Sequence, residues 1–328
     1  MYEMLREYTR LALSLFYRRI ILEGLENIPT DGSTLIVANH QNALMDALLP
    51  VCHWPQPIYF LARSDIFRNP HIARILYWLK IIPVYRKRDG LKEPLKNAES
   101  FDQCYQWLAE GKPVLIFPEA NQVMQRSVRK LSKGFSRIAF GALEARPDLK
   151  LYVLPLGINY EHYSNFNTVL RLRVGKPLEV WKYVNGESVA KGAARLTADV
   201  EEALKKLCVH IDAQTEAAFF ESPEPSGEQL SSPKYFRASP PTPAKNGGRV
   251  FVGQLSRWFF YPPRALNRYI VEKLVKDPHF QPSLKFGLHL IFIPAYLALL
   301  IGLGLAFSLD AWAWLIWLAA IGLLLRPF

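Results

Sequence analysis

The feature that most restricts this 328-residue chain is a run of 24 residues, 286–309, without Asp, Glu, Lys or Arg. A helix of about 20 apolar residues crosses the hydrocarbon of a bilayer, so the run predicts a membrane anchor. Asp310 interrupts it, and a second apolar stretch, 311–325, supplies only 15 residues more. That is short for a full crossing. The pair reads as a hairpin turning near 308–310, or as one span followed by a shallow or tilted segment. A hairpin puts Lys285 and Arg326 on one side, which the positive-inside rule makes cytoplasmic.

Upstream the pattern changes. Charges are spread through the chain to about residue 220, as in a globular unit large enough to bury a real core. The net charge of +11 suggests an anionic partner: nucleic acid, an anionic membrane surface or a phosphorylated substrate. The bases are dispersed rather than gathered in one stripe, and no nucleic-acid-binding motif is present, so a nucleic-acid partner is not expected. Three widely spaced cysteines form neither a metal signature nor a disulfide framework, which suits a reducing compartment. The first residues mix acids with bases and lack a cleavage-site pattern, so they do not read as a signal peptide. Instead Leu5, Tyr8, Ala12, Leu15 and Phe16 recur at helical steps. They predict an amphipathic helix, packed on its own domain or lying on a membrane surface.

From residue 33 onward, short β-branched runs alternate with helical stretches. "STLIVAN", "PIYFLA", "IIPVY", "PVLIF", "LYVLPLGINY" and "VLRLRV" read as strands. Helices are expected over 43–52, 70–79, 94–109, 132–145 and 190–220. Such alternation implies an α/β sheet with helical cover. Residues 222–248, rich in Pro, Ser and Gly, read as a linker. The aromatic and basic stretch 249–285 fits an interfacial segment or a packed helical hairpin. The expected domains are therefore an N-terminal helix (1–20), a globular domain (21–221), the linker (222–248), an interfacial segment (249–285) and a transmembrane hairpin (286–328).

The chain has no G-x-S-x-G elbow, phosphate-binding P-loop, strand-borne G-x-G-x-x-G or zinc-spaced Cys/His cluster. Acid–base chemistry by side chains becomes the leading enzymatic option, with no metal and no resident cofactor expected. His40 follows the strand "STLIVAN", and Asp46 falls in the first turns of the next helix. A carboxylate on one imidazole nitrogen fixes the tautomer and makes the other a base. Six positions along a regular helix turn about 240° around its axis. The pair can meet only if His40 lies before the helix and the chain bends back. Glu119 ends a second strand, and Arg86, followed by Lys87 and Arg88, ends a third. Each has a plain alternative: a structural histidine, a solvated acid, a surface charge run. Together, at strand ends where open α/β sheets bind ligands, they point to one site. A guanidinium there suits a phosphate.

"NHQNALMD", "IPVYR", "FPEA" and "LPLGINY", in that order, resemble the four sequence blocks of the glycerolipid acyltransferase family, which includes 1-acylglycerol-3-phosphate and glycerol-3-phosphate acyltransferases. The resemblance covers residues 23–178. It implies a mixed α/β sheet with helices on its faces, and the C-terminal apolar segments read above suit that chemistry by holding the domain at the cytoplasmic face of a membrane. It makes His40 the catalytic base and Asp46 its orienting acid. By the same resemblance Arg86, with Arg88 beside it, grips the acceptor's phosphate. Phe117, Pro118 and Glu119 help position the glycerol, and Pro155 shapes the site and the acyl-donor region. The expected partners are membrane lipids, acyl-CoA or acyl carrier protein as donor, and a phosphorylated glycerol acceptor. Two features depart from the family pattern. Five residues separate His40 from Asp46 where four are usual, and Ala120 replaces a customary glycine. Both bear on the acceptor rather than the reaction. Another lysolipid or aminolipid acceptor stays open, as does a non-enzymatic lipid-binding protein with vestigial blocks.

Overall fold

The computed structural model describes residues 1–85, 97–119, 122–184, 188–210, 258–275 and 280–306. The linker 222–248, the arm 311–325, and Arg86, Arg88 and Ala120 lie outside those residues.

The core is a mixed sheet of eight strands among the described residues. Strand β1 is Arg19–Glu23, β2 Ser33–Ala38, β3 Tyr59–Arg63 and β4 Ile81–Val84; β5 is Val114–Ile116, β6 Leu151–Tyr160, β7 Val169–Val174 and β8 Leu178–Glu179. Their order is β1-β7-β6-β2-β5-β3-β4, with β8 pairing β6. Strands β6, β2, β5, β3 and β4 run parallel, so their C-terminal ends share one edge. Strand β7 is antiparallel to β6, and β1 is parallel to β7.

Every residue of β2 is buried, as expected of a central strand covered on both faces. Its side chains alternate. Leu35 and Val37 join the core under helices α4 (Asn97–Ala109), α5 (Gly134–Ala145) and α6 (Val189–Leu207). Ile36 and Ala38 face the core under α1 (Tyr2–Phe16) and α2 (Ala43–His53). On that second face, Arg6 of α1 donates to the carbonyls of Val51 and Trp54. It thereby satisfies acceptors that the end of α2 leaves open. Helix α3 (Pro70–Trp78) is capped by Asn69, whose Oδ1 accepts from His71 N at 2.9 Å, and none of its residues is buried.

Two expectations change. The edge strand β1, "RIILE", is half-buried throughout and flanked by charges, so its pattern did not stand out. The helix expected over 190–220 stops at Leu207. Asn159 intercepts the chain there: its Nδ2 donates to Leu207 O at 3.0 Å, and its Oδ1 accepts from Val209 N at 2.7 Å.

The described part of the apolar run, 286–306, lies in α8 (Gln281–Ala306), of which residues 281–303 are long and apolar enough to cross a membrane. Its first turns are nevertheless part of the globular core. Phe286 is fully buried against Phe16, and His289 packs on the rings of Phe16 and Phe166. Helix α7 (Tyr261–Leu274) lies alongside, tied by Asn267 Nδ2 to Lys285 O at 2.7 Å and by Arg264 to Leu15 O at 2.8 Å. Part of the stretch read as interfacial is thus a helix packed on α8.

Candidate active site

The site is built where β2 ends. Asn39 continues the ladder with its side chain, donating to Ile158 O at 3.0 Å and accepting from Ile158 N at 2.7 Å. That locks the strand exit to β6 and leaves His40 just outside the sheet. The chain then turns into α2 through Ala43, whose φ is +42°. This left-handed residue absorbs the extra position between His40 and Asp46. The bend expected at the helix start is present.

Asp46 reaches back across that bend. Its Oδ2 accepts from Gln41 N at 2.7 Å and Asn42 N at 2.6 Å, and lies 2.9 Å from His40 Nδ1. The backbone bonds resemble the acidic half of a capping box, satisfying N–H groups that α2 leaves unpaired. Oδ1 accepts from the Tyr160 hydroxyl at 2.6 Å. The Asp46 side chain is fully buried, whereas His40 keeps partial access to solvent. A carboxylate is an acceptor, so Nδ1 carries the proton and Nε2 is the basic nitrogen. The imidazole stacks on Phe117 at 4.4 Å between ring centres. Burial raises the Tyr160 phenol well above its ordinary pKa, and the adjoining Asp46 carboxylate adds to the effect.

Glu119, just past β5, is not a solvated loop acid. Its side chain is fully buried and its Oε2 accepts from Arg129 Nε at 2.9 Å and Nη2 at 2.7 Å. Oε1 has no hydrogen-bond partner among the described residues. Burial pushes this carboxyl above its usual value, and Arg129, with a smaller contribution from His40, only partly offsets it. Arg129 also reaches His40 O at 3.4 Å, which Val123 N meets at 3.3 Å. The loop closes with Ser132 N donating to Pro118 O at 2.8 Å. Sequence reasoning missed Arg129, Tyr160 and Arg126, the last of which binds Tyr160 O at 2.9 Å. Nothing in "QRSVRK" separates Arg129 from the bases around it; only the fold does.

Of the other expected residues, Phe117 touches His40, and Pro118 carries the turn into Glu119. Pro155 lies in the body of β6, level with Val37 and so about 10 Å along the strands from His40. Its carbonyl accepts from Gly175 N at 2.8 Å, in the gap between β7 and β8. Its missing N–H therefore removes no ladder bond. Strand β4, after which Arg86 and Arg88 come in sequence, lies three strands from β2, about 14 Å across the sheet; the two arginines themselves are outside the described residues.

Comparison with known proteins bears on this same region. A protein-family model described as Acyltransferase matches residues 19–159. Glycerol-3-phosphate O-acyltransferase 2 of Saccharomyces cerevisiae is 33% identical over 127 residues, covering 38% of this chain and 16% of that protein. A 1-acyl-sn-glycerol-3-phosphate acyltransferase of Borreliella burgdorferi is 28% identical over 137 residues, 42% of this chain and 52% of that protein. One from Chlamydomonas reinhardtii is 32% identical over 136 residues, 40% of this chain and 38% of its own length. The match thus spans about half or less of each of these relatives. Among solved structures, the 1-acyl-sn-glycerophosphate (LPA) acyltransferase of Thermotoga maritima aligns with a TM-score of 0.43 at 20% identity, over 62% of this chain and 77% of that one. Residues 19–159, which carry the His40–Asp46 pair and Glu119, are thus the part of the chain that resembles the glycerolipid acyltransferases.

Proposed function

We propose that the protein transfers a fatty acyl group from acyl-CoA or acyl carrier protein to a hydroxyl of lysophosphatidic acid or glycerol 3-phosphate. The observation that carries this reading is the His40 Nδ1–Asp46 Oδ2 contact of 2.9 Å, which leaves Nε2 as a base at the ligand-binding edge of the sheet. In the reaction, Nε2 takes the proton of the acceptor hydroxyl as its oxygen attacks the thioester carbonyl. The tetrahedral oxyanion collapses, the C–S bond breaks, and the imidazolium returns the proton to the departing thiolate. Asp46 stabilises the imidazolium between these steps. Glu119 Oε1 accepts a hydroxyl of the glycerol. Arg86, aided by Arg88, holds the phosphate. Transfer is direct. Cys52, Cys104 and Cys208 are all buried, and burial pushes the thiols of Cys52 and Cys104 up to about 12, so no cysteine is poised as a nucleophile.

The site belongs at a membrane surface, with its domain on the cytoplasmic side. Beyond its packed first turns, α8 exposes Leu299, Leu303 and Leu305. Helix α1 exposes Met4, Leu5 and Leu11, and α3 exposes Ile72, Ile75 and Trp78 beside the bases Arg68 and Arg74. Tyr2 of α1 meets Trp78 edge to face at 6.3 Å, so these apolar surfaces adjoin. Apolar residues flanked by bases suit an anionic bilayer surface.

The test is full-length protein in detergent or vesicles, given labelled palmitoyl-CoA or palmitoyl carrier protein with either acceptor. Acylated product is expected, reduced about 100-fold or more by His40→Ala. Product from neither acceptor with either donor, or full activity in His40→Ala, would overturn the reading.

A further inference from the structure

The carboxylate behind His40 is held from two directions. Three donors converge on Oδ2, and all are local in sequence: His40, Gln41 and Asn42. These alone leave the carboxylate plane poorly fixed, because the terminal torsion of an aspartate is broad. The second direction comes from 114 residues away, where Tyr160 closes β6.

We propose that Tyr160 is a positioning residue of the acyl-transfer site: its hydroxyl, 2.6 Å from Asp46 Oδ1, fixes the carboxylate that orients His40 and tempers its pull on the imidazole proton. The inference rests on reading His40 as the base. A hydroxyl-to-carboxylate bond of this length is of the strong, charge-assisted kind. The donor is rigidly mounted. Its backbone pairs with Leu170, its carbonyl is held by Arg126 at 2.9 Å, and its ring lies between Tyr17 and Tyr163 at 6.5 and 5.6 Å. Burial keeps the phenol protonated, so it donates throughout the working pH range.

The sign of its effect follows. A donated hydrogen bond withdraws charge from the carboxylate and weakens its hold on the imidazolium. Removing the donor makes Asp46 a stronger partner for protonated His40. The acid limb of kcat/KM, where His40 must lose its proton, then moves to higher pH. Other groups around the pair are Tyr17, Tyr163 and Cys208, with Glu119, Arg129 and Arg126 on the neighbouring loop. None is altered by Tyr160→Phe.

The experiment compares full-length wild type, Tyr160→Phe and Tyr17→Phe in detergent micelles. Tyr17 adjoins Tyr160, but its hydroxyl has no hydrogen-bond partner among the described residues. Tyr160→Phe is expected to lower kcat about 10- to 100-fold, leave KM for donor and acceptor within about twofold, and move the acid limb up by about half a pH unit or more. Tyr17→Phe is expected to match wild type. A second readout needs no substrate: the pH dependence of His40 modification by diethyl pyrocarbonate, followed by peptide mass spectrometry. It should shift in the same direction. If wild type acylates nothing, the functional reading falls, yet the modification profile still decides the role of Tyr160. If Tyr160→Phe does not fold, 3-fluorotyrosine at position 160 keeps the bond with a more acidic donor, and both profiles should move to lower pH. A folded Tyr160→Phe with unchanged profiles, or an equal shift in Tyr17→Phe, would overturn the proposal.

Discussion

A carboxylate taken out of water is costly unless both its oxygens find partners, and this site treats its two acids differently. Asp46 has four donors shared between Oδ1 and Oδ2. Glu119 has Arg129 on Oε2 and no hydrogen-bond partner for Oε1 among the described residues. The consequence is a pH signature. Burial raises the Glu119 carboxyl above its ordinary pKa, so the folded protein binds that proton more tightly than the unfolded chain does. The stability this supplies is fully present below the unfolded pKa and is lost as pH rises through the folded value. Glu119→Gln should remove this slope. Thermal unfolding in detergent between about pH 4 and pH 8 should show wild type losing stability relative to Glu119→Gln as the pH climbs. Parallel curves would mean that Arg129 fully compensates the burial. The same acid shows where reading a sequence ends. "FPEA" announces a glutamate at a strand end, but only the returning loop shows that it is buried against a base ten residues later.

At the scale of the element, the start of α2 carries the structural cost of the wide His–Asp spacing. Ala43 at φ +42° occupies a region that costs an L-residue roughly 1–2 kcal/mol and glycine little. Ala43→Gly should stabilise the protein by about 0.5–1 kcal/mol, and Ala43→Val should destabilise it by at least as much. Melting temperatures in one detergent test both; a less stable glycine variant would show that α2 does not begin as described. This bend was legible beforehand, because helical geometry forbids the pairing without it. The strands β2 to β7 and helices α1 to α5 were legible for similar reasons. Their hydrophobic periods match one burial environment each. The edge strand β1 was not, since half-burial between Arg19 and Glu23 leaves no period to detect. Nor was the stop at Leu207, where the helical pattern is sound but Asn159 offers the backbone a better partner. Local preference loses to tertiary contact in both cases.

For the whole molecule, one contact between the apolar helix α8 and the globular domain runs through a single backbone carbonyl. Pro294 lies inside α8 and has no N–H to give Leu290 O, its partner four residues earlier. The hydroxyl of Tyr8, on α1, donates to that carbonyl instead. An apolar helix tolerates proline where a neighbouring side chain satisfies the freed group, and here the neighbour lies on α1 of the globular domain. The substitution pattern is therefore not additive. Tyr8→Phe alone leaves Leu290 O without its donor and should cost about 1–2 kcal/mol. Pro294→Ala restores an N–H that can bond the same carbonyl. In that background, Tyr8→Phe should cost much less, giving a coupling of about 1 kcal/mol in a double-mutant cycle. Unfolding of the four proteins in one detergent measures it. Additive effects would show that Tyr8 and Pro294 do not share the carbonyl.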